Sequence, residues 1–376
     1  MPRQLRSTVR EDGTLQLALA SVEAPEPSDD QVVIRVEAAP LNPSDLGPML
    51  GPADVDTMRT EGAGADVVVT FDIPENLRSL VQARVGRSLP MGNEGAGVVV
   101  AAGRSPEVQA LVGRAVATWG GGMYSQLRVA PVDQCLALPD DVTPAQGASA
   151  FVNPLTTLGM ISTMRLEGHR ALVHAAAASN LGQMLVKLCQ AEGIPLVNIV
   201  RRSEQVDVLN DLGAEHVCNS SDDDFMKSLI AAVDETDATL GFDAIGGGRL
   251  ASNILTAMEA VQSRKGGTVG NYGSARHKQV YLYGGLDRSP TELTRGFGMA
   301  WGIGGWLLPN HLARLSAEEV EQMRQRVAAE ITTTFASSYT AEISLAEMLD
   351  PDTIRSYARQ ATGEKYLVNP NQGLGA

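Results

Sequence analysis

The sequence has few cysteines. Of its 376 residues only three are cysteines, and they lie far apart, at Cys135, Cys189 and Cys218. An odd number of distant cysteines argues against a disulfide framework, which is typical of small secreted domains. The sequence therefore favours a reducing compartment, and we expect a cytoplasmic protein.

Long apolar runs and an excess of positive charge are also missing. No apolar segment approaches the roughly 20 residues that cross a bilayer, and the N-terminal MPRQLRSTVREDGTLQL has no apolar signal core. There are 30 basic against 44 acidic side chains, for a net charge of −14. Such a surface repels phosphate backbones and anionic lipid, so we expect neither nucleic acid nor membrane as a partner. Any anionic ligand must be held by local positive groups.

The length of the chain and a change in its predicted secondary structure near residue 154 indicate two domains. Residues 1–153 read as short strands with glycine-rich turns, as in EGAGVVVAAG. From residue 154 short apolar strands alternate with helices, which predicts right-handed βαβ crossovers and a parallel sheet. We therefore predict an α/β domain over 154–308 and a β-rich domain built from 1–153 and 309–376.

Individual elements of the α/β domain can be placed from periodicity and turn residues. Strands are predicted at 172–175, 196–200, 216–218, 240–245 and 267–272, and helices at 182–192, 204–212, 222–233 and 249–262.

Segment 51–88 shows neither the short strands predicted for the rest of residues 1–153 nor the alternation of strands and helices that begins at residue 154. It is long for a connection, and long loops in compact domains are often lids or binding loops. The alternative is a surface excursion that contains a short hairpin. The sequence leaves both readings open.

The stretch 172–202, LVHAAAASNLGQMLVKLCQAEGIPLVNIVRR, predicts a nucleotide-binding turn between a strand and a helix. Such turns use small residues for a tight bend, for close approach of a pyrophosphate and for helix–strand packing. Ala177 and Ser179 can serve the first two needs, and Gly182 the third. The backbone N–H groups that follow lie at a helix N-terminus, which favours anions. The candidate pyrophosphate-binding residues are Ser179, Asn180, Leu181 and Gly182.

Two arginines follow the next predicted strand. A site for NAD usually carries Asp or Glu there, to bind the ribose 2′-hydroxyl. This sequence has Arg201 and Arg202, and guanidinium groups bind a 2′-phosphate through paired hydrogen bonds. The alternative is a pair of arginines at an ordinary exposed strand end. In so acidic a chain we favour the anion site, and hence NADPH over NADH.

Six motifs follow one another along most of the chain: LNPSD (41–45), GNEGAGVV (92–99), NPLTT (153–157), LNDLGAEHVCN (209–219), YGSAR (272–276) and ATGEKYLV (361–368). Together, in this order, they resemble the medium-chain dehydrogenase/reductase superfamily. The resemblance covers most of the chain and points to two zinc-free branches, the quinone oxidoreductases and the enoyl-thioester reductases. It implies a Rossmann doubly wound parallel sheet domain plus a β-rich GroES-like substrate domain.

The same resemblance implies roles for individual residues. Asn42 matches a residue near the nicotinamide, Thr156 one that holds the nicotinamide side, and Lys365 a C-terminal lysine that reaches the cofactor. Four further residues are placed at later strand ends, where ligands bind in this fold. These are Ile245, Gly246, Tyr272 and Gly273.

The resemblance also bears on metal binding. Zinc-dependent relatives carry a cysteine near the NPSD segment and a histidine at the second residue of GNEG, where this chain has Asn93. The five histidines form no ligand spacing with the cysteines, so we expect no zinc site. His174 in the first strand of the α/β domain is expected to be packed or hydrogen-bonded.

The proton donor is the main departure from the resemblance. Enoyl-thioester reductases usually have a tyrosine shortly after NPSD, and this chain has LGPMLGPADVDT there. Tyr124 is the nearest candidate for a donor, with a structural aromatic as the alternative. Asp45 is expected to cap a turn rather than to act as a base.

Together these observations predict an NADPH-dependent, zinc-independent reductase of a quinone or conjugated carbonyl such as an enone. One alternative is an enoyl-thioester reductase, whose phosphorylated carrier the basic stretch 78–87 could bind. Another is an NADPH-binding sensor or structural protein without turnover. The stretch GMAWGIGGWLL (298–308) is predicted to form either an apolar edge strand that pairs with a second copy or an internal core strand. An exposed apolar edge is a liability unless it is paired or covered, so we favour a homodimer.

Overall fold

The computed structural model describes residues 1–266, 271–360 and 365–373. The chain folds into two compact units. Unit 1 comprises Met1–Val152 and Arg324–Ala376, and unit 2 comprises Asn153–Met323. Unit 2 begins where the sequence changes from predicted short strands to alternating strands and helices. It continues beyond residue 308, the predicted end of the α/β domain. No described helix is long and apolar enough to cross a membrane.

The elements are numbered in chain order. Up to residue 152 they are β1 (Arg3–Val9), β2 (Thr14–Ser21), β3 (Gln31–Pro40), α1 (Pro43–Leu50), β4 (Asp54–Glu61), β5 (Val68–Asp72), β6 (Ser88–Pro90), β7 (Glu94–Ala102), α2 (Pro106–Gln109), β8 (Ala115–Trp119), β9 (Leu127–Pro131), β10 (Cys135–Ala137) and α3 (Pro144–Gly147). Next come α4 (Val152–Leu166), β11 (Leu172–Ala175), α5 (Asn180–Glu192), β12 (Leu196–Val200), α6 (Ser203–Asp211), β13 (His216–Asn219), α7 (Phe225–Thr236), β14 (Leu240–Asp243), β15 (Gly246–Gly248), α8 (Leu250–Lys265), β16 (Lys278–Leu282), β17 (Asp287–Thr291) and β18 (Trp301–Gly305). The last are α9 (Leu308–Leu312), α10 (Ala317–Glu330), β19 (Ala341–Ser344), α11 (Pro351–Ala358) and β20 (Tyr366–Asn369).

Unit 1 is built on two sheets. One has the order β4-β5-β2-β1-β6, and the other β10-β8-β7-β3-β20-β19 with β9 also paired to β3. In β2 every second side chain is buried, which is the pattern of a sheet with one face on a core. The C-terminal strands β19 and β20 are parallel to each other, and β20 pairs with β3. Residues far apart in sequence are thereby brought to one sheet.

Segment 51–88 is a hairpin, as one of the two readings predicted. Strands β4 and β5 pair antiparallel, and β5 extends the first sheet by pairing with β2. A 3₁₀ helix over Glu75–Arg84 returns the chain to β6. Phe71 in β5 is fully buried in the core of unit 1, so part of this segment serves packing.

Unit 2 contains the predicted parallel sheet. Its order is β13-β12-β11-β14-β16-β18, and neighbouring strands in this order are parallel. The order reverses between β11 and β14, so the ends of these two strands form the switch point where ligands bind in such sheets. Strands β11 and β12 lie where the sequence predicted them and are buried throughout, as expected between two helical layers.

One strand assignment requires correction. The strand predicted over 267–272 lies largely outside the described residues, but Tyr272 itself is in a turn and 77% exposed. The strand that pairs with β14 is β16, which begins at Lys278. Residues 267–270 lie outside the described residues, so the part of this prediction that falls on them stays a prediction. Tyr272 and Gly273 precede β16 and therefore do not lie at its carboxyl end.

Candidate cofactor site and active site

The turn between β11 and α5 is closely packed. Ser179 caps α5, and its Oγ accepts the backbone N–H of Gly182 at 3.1 Å. A Cβ placed on Gly182 would lie 2.1 Å from the carbonyl oxygen of Ala177. This approach is the close helix–strand packing expected of the third small residue in a nucleotide-binding turn.

Alanine replaces glycine at the bend itself. Ala176 has a φ of 60°, in the left-handed region that glycine adopts most easily. Ala177 and Ala178, which follow it, are buried. The sequence interpretation assigned the bend to Ala177 and missed Ala176, because a run of four alanines does not show which one carries the unusual backbone angle.

The arginine pair directly follows β12, beside β11. The side-chain oxygen of Gln205 accepts the backbone N–H groups of Arg201 at 3.0 Å and Arg202 at 3.2 Å. Ser221 donates to the carbonyl oxygen of Arg201 at 2.8 Å. The backbone is thus held while both arginines are exposed. Within the described ranges neither guanidinium forms an ion pair with a carboxylate.

The end of β14 is shaped by a buried carboxylate. Asp243 Oδ1 accepts the backbone N–H of Ile245 at 2.7 Å. Burial raises the pKa of Asp243, although hydrogen bonds from Ile245 and Gly246 oppose the rise. Gly246 has a φ of 81°, so the chain turns sharply here. Ile245 and Gly246 therefore lie just beyond a strand end, as predicted.

A tyrosine and a glycine that the sequence interpretation passed over lie beyond β16. Tyr283 and Gly284 take the strand-end position that was predicted for Tyr272 and Gly273. The hydroxyl of Tyr283 lies 2.8 Å from Nε2 of His174 in β11. Burial lowers the pKa of His174 to about 3, so its ring is neutral. The run VYLY (280–283), which combines a β-branched residue with two tyrosines, was the available signal for this strand.

A cavity of about 360 Å³ lies at the same edge of unit 2, beyond β16 and β18. Trp306 and Tyr283 contribute the aromatic part of its wall. The full lining is Leu282, Tyr283, Gly284, Gly305, Trp306, Leu307 and Asn310.

A buried ion pair holds the turn that contains Tyr272 and Gly273. The Lys278 ammonium donates to Glu259 at 2.5 Å, and Ser274 donates to Glu259 through both its backbone N–H and its hydroxyl. Burial alone would raise the pKa of Glu259, but hydrogen bonds from Lys278, Ser263 and Ser274 outweigh it and lower the pKa to about 2. Gly273 is needed because a Cβ there would lie 2.5 Å from Oε1 of Glu259.

This ion pair predicts an acid sensitivity of the fold. The pKa of Glu259 is depressed in the folded chain from 4.5 to about 2. Its contribution to stability is therefore complete well above pH 4.5 and is lost as the pH falls toward 2. Between pH 6 and pH 3 we expect the free energy of unfolding to fall about 2 kcal/mol more in the wild type than in Glu259→Gln. Urea unfolding at both pH values measures this. Glu318→Gln, at an exposed position, is the control and should follow the wild type; equal losses in all three proteins would contradict the prediction.

Unit 1 contains a cluster of buried polar side chains. Glu94 is fully buried and accepts three hydrogen bonds at 2.8 Å, from Nδ2 of Asn42 and from the backbone N–H groups of Phe151 and Val152. Burial raises the pKa of Glu94, while the charge of Lys365 and these hydrogen bonds oppose the rise. Since Nδ2 of Asn42 is bound to Glu94, the carbonyl Oδ1 is oriented away from it. That oxygen is buried and has no hydrogen-bond partner in the described part of the chain.

Asp45 caps α1, as expected. Its two carboxylate oxygens accept the backbone N–H groups of Asn42 at 2.9 Å and of Asn93 at 2.7 Å. Burial raises the pKa of Asp45 to about 7 in spite of these bonds.

Lys365 belongs to the same cluster. Its Nζ donates to Oγ of Ser149 at 2.9 Å, and that Oγ lies 3.0 Å from the hydroxyl of Tyr339. The ammonium also lies over the Tyr339 ring, 5.2 Å from its centroid. Burial lowers the pKa of Lys365 to about 8, although the charges of Glu94 and Asp45 oppose the change.

Comparison with known proteins identifies relatives of both predicted branches. A search against protein families finds no match. The enoyl-[acyl-carrier-protein] reductase of Xenopus tropicalis mitochondria is 29% identical over 207 residues, which cover 54% of this chain and 51% of the relative. A quinone oxidoreductase of Pseudomonas aeruginosa is 27% identical over 199 residues, 52% of this chain and 59% of the relative. The chain thus spans little more than half the length of these curated relatives.

A solved structure extends the likeness to nearly the whole chain. That structure is of a Mesorhizobium loti protein assigned as an NADPH:quinone reductase. The two chains share 25% identity and a TM-score of 0.72, and the match covers 98% of each. Its relatives are medium-chain dehydrogenases/reductases. The predicted resemblance to the quinone oxidoreductase and enoyl reductase branches is confirmed. So is the predicted fold class, a Rossmann parallel sheet with a separate β-rich GroES-like part.

Two features of the described residues fit a nicotinamide dinucleotide. The Ser179–Gly182 turn packs closely against the backbone of Ala177, and it can do so only because position 182 has no Cβ. The unpaired carbonyl of Asn42 fits a hydrogen-bond donor such as a carboxamide. Thr156, the remaining predicted contact in unit 2, is buried in α4.

Tyr124 does not have the environment of an accessible proton donor. Its side chain is fully buried, and its hydroxyl donates to the carbonyl oxygen of Pro40 at 3.1 Å. Burial raises the pKa of Tyr124 well above its usual value. These observations favour the structural alternative, and the donor role remains only a prediction.

Metal ligands do not converge in the described residues. No group of three or more His, Cys, Asp or Glu side chains there could hold a metal ion. His174, which the sequence placed in the first strand of unit 2, is buried and bound to Tyr283 as expected.

Proposed function

We propose that this protein is an NADPH-dependent, zinc-independent oxidoreductase that reduces a quinone or a conjugated carbonyl. The main support is the turn at Gly182, where the backbone of Ala177 leaves no space for a side chain. Two exposed arginines lie at the end of the neighbouring strand. The named function of the Mesorhizobium loti relative, an NADPH:quinone reductase, supports the proposal.

Different residues of unit 2 would bind different parts of NADPH. The N–H groups at the start of α5 would bind the pyrophosphate, with Ser179, Asn180, Leu181 and Gly182 forming the turn. Arg201 and Arg202 would bind the 2′-phosphate. Ile245 and Gly246, and now Tyr283 and Gly284 as well, lie at strand ends where this fold binds ligands.

The nicotinamide is the part of the cofactor on which the chemistry depends. When bound, it supplies a hydride for an acceptor that is already activated by conjugation. Thr156, Asn42 and Lys365 are proposed to orient it, on the resemblance stated above. Glu94 would support this function by holding the Asn42 amide in one orientation.

The activity is tested by mixing the protein with NADPH and a panel of quinones and enones, and following the absorbance of NADPH. We expect oxidation that depends on the acceptor and a rate with NADH at least 10-fold lower at subsaturating cofactor. Tight NADPH binding with no oxidation by any acceptor would instead favour the sensor or structural role.

The second candidate is an enoyl-thioester reductase, since the Xenopus tropicalis relative is an enoyl-[acyl-carrier-protein] reductase. The basic stretch 78–87 gives this candidate less support than the sequence suggested. Arg84 donates to the carbonyl oxygen of Pro48 at 2.7 Å, and Arg78 donates to that of Ile73 at 3.3 Å. Both guanidinium groups are thus engaged within unit 1. Turnover of a crotonyl thioester faster than of every quinone and enone would select this candidate.

A homodimer remains part of the proposal. In the described sheet β18 pairs with β16 on one side only, and it carries the predicted apolar stretch. An open apolar edge strand favours pairing with a second copy.

A further inference from the structure

The parallel pairing of β19 and β20 brings two distant side chains together. Ala341 is in register with Tyr366, so the residues just before the two strands are neighbours. The Thr340 N–H donates to the carbonyl oxygen of Lys365 at 2.8 Å, and the Lys365 N–H donates to Oγ1 of Thr340 at 3.1 Å. Tyr339 and Lys365 are therefore held side by side, although 25 residues lie between their positions in the chain.

A third side chain joins them. Ser149 is fully buried, and its Oγ contacts both Nζ of Lys365 at 2.9 Å and the hydroxyl of Tyr339 at 3.0 Å. Lys365 can only donate, so the hydroxyl of Ser149 is available to donate to Tyr339. Tyr339 and Lys365 are each only partly buried. The three groups form a continuous path for a proton from the ammonium to the phenol.

Two other described tyrosines have different partners. Tyr124 donates to a backbone carbonyl, and Tyr366 pairs with Ser356 at 2.9 Å. The chain also lacks the tyrosine that enoyl-thioester reductases usually carry after NPSD.

We propose that Tyr339 is the proton donor to the reduced acceptor and that Ser149 and Lys365 resupply its proton. The proposal rests on the function proposed above, in which hydride addition to a quinone or conjugated carbonyl leaves an anion. The O–H bond of Tyr339 breaks as a new O–H or C–H bond forms on that anion. Tyr339 takes the hydroxyl proton of Ser149, and Ser149 takes a proton from Nζ of Lys365. The neutral amine regains a proton from water, and the protein gains and loses no electrons.

The charges around Lys365 set the pH range of this path. Glu94 on β7 and Asp45 on α1 favour the ammonium, whereas burial disfavours it and lowers the pKa of Lys365 to about 8. The pKa of Tyr339 is raised by burial to about 12, so the phenol carries its proton throughout the working range. The rate of protonation is therefore expected to fall as the pH rises above about 8.

The test compares two acceptors in the full-length protein. An enone needs a proton to complete its reduction, whereas the reduced anion of a tetrahalogenated benzoquinone is stable in water. We expect Tyr339→Phe and Ser149→Ala to lower kcat for the enone about 100-fold. The rate with the quinone and the Kd for NADPH should stay within 3-fold of the wild type. The fall of the enone rate above pH 8 should disappear in both variants.

Tyr366→Phe is the matched control, since it removes the hydroxyl of another tyrosine bound to a serine of unit 1. It should leave the enone rate and its pH profile unchanged. An enone rate within 3-fold of the wild type in Tyr339→Phe would overturn the proposal. Equal losses of rate with the enone and the quinone in Tyr339→Phe would also overturn the proposal, because they would indicate a structural defect.

A measurement without cofactor separates this proposal from the proposed function. The chain has five lysines, so reductive methylation with ¹³C-formaldehyde allows Lys365 to be titrated by NMR and assigned with Lys365→Gln. We expect Ser149→Ala to lower the pKa of Lys365, because the ammonium loses its hydrogen-bond acceptor, and Tyr366→Phe to leave it unchanged. An unchanged pKa in Ser149→Ala would show that the two groups are not coupled and would overturn the path. If this coupling is present but none of the tested quinones and enones supports NADPH oxidation by the wild type, the proposed function fails. The donor role of Tyr339 then fails with it.

Discussion

NADPH is expected to bind about 100-fold more weakly when Arg201 and Arg202 are both replaced by alanine, while NADH binding stays unchanged. A hydrogen bond between charged groups contributes about 1.5–3 kcal/mol when formed away from water. Both arginines are exposed, so water and salt screen them. We therefore expect about 2.7 kcal/mol for the pair, which corresponds to 100-fold in Kd. Calorimetric titration with each nucleotide gives both constants.

The control for this prediction removes two positive charges elsewhere in unit 2. Arg264→Ala combined with Arg314→Ala changes the net charge equally at two exposed positions. It should leave the ratio of the NADH and NADPH constants as in the wild type. If NADH binds the wild type as tightly as NADPH does, the arginines are only an exposed strand end and the proposed cofactor preference is wrong.

Gly182→Ala is expected to abolish detectable nucleotide binding and to destabilise the protein by about 3 kcal/mol, the upper part of the range for overpacking a tightly packed site. The added methyl group would lie 2.1 Å from the carbonyl oxygen of Ala177 and 2.7 Å from its Cα. These are backbone atoms, so no side-chain rotation relieves the contact. The start of α5 must move away from β11, and the N–H groups that would bind the pyrophosphate move with it. Thermal unfolding and NADPH titration measure the two effects.

Gly47→Ala is the matched control because Gly47 is also a helical glycine, in α1. A Cβ there meets nothing within 4 Å. The replacement should be neutral or slightly stabilising, since alanine favours a helix over glycine by about 1 kcal/mol. A Gly182→Ala protein that binds NADPH like the wild type would show that the turn is not the nucleotide site.

The strands of unit 2 could be predicted because their signal is local. Strands β11 and β12 are short apolar runs between glycine, proline and helical segments, and the structure places them where the sequence did. Tyr272 and Gly273 were predicted at a strand end because YGSAR resembles the end of a strand as closely as the later YGG does. Which of the two segments pairs with β14 depends on long-range contacts, and those contacts select β16.

For the candidate catalytic groups, too, the sequence could not predict contacts between residues that are distant along the chain. Asn42, Asp45 and Lys365 could be singled out from motifs, but their partners could not. Glu94 lies in a glycine-rich strand and gives no sequence signal that it would accept three buried hydrogen bonds. Tyr124 was the nearest tyrosine in a motif, whereas burial leaves it without an accessible hydroxyl.

The sequence by itself determined the parallel sheet, the turn at Gly182 and the arginine pair beside it, because each depends on neighbours within about thirty residues along the chain. Only the tertiary structure decided that Lys365, Ser149 and Tyr339 meet. Their contact requires β20 to return to β3 and to pair with β19. That pairing arises from backbone hydrogen bonds and burial between distant segments, and no local pattern encodes it.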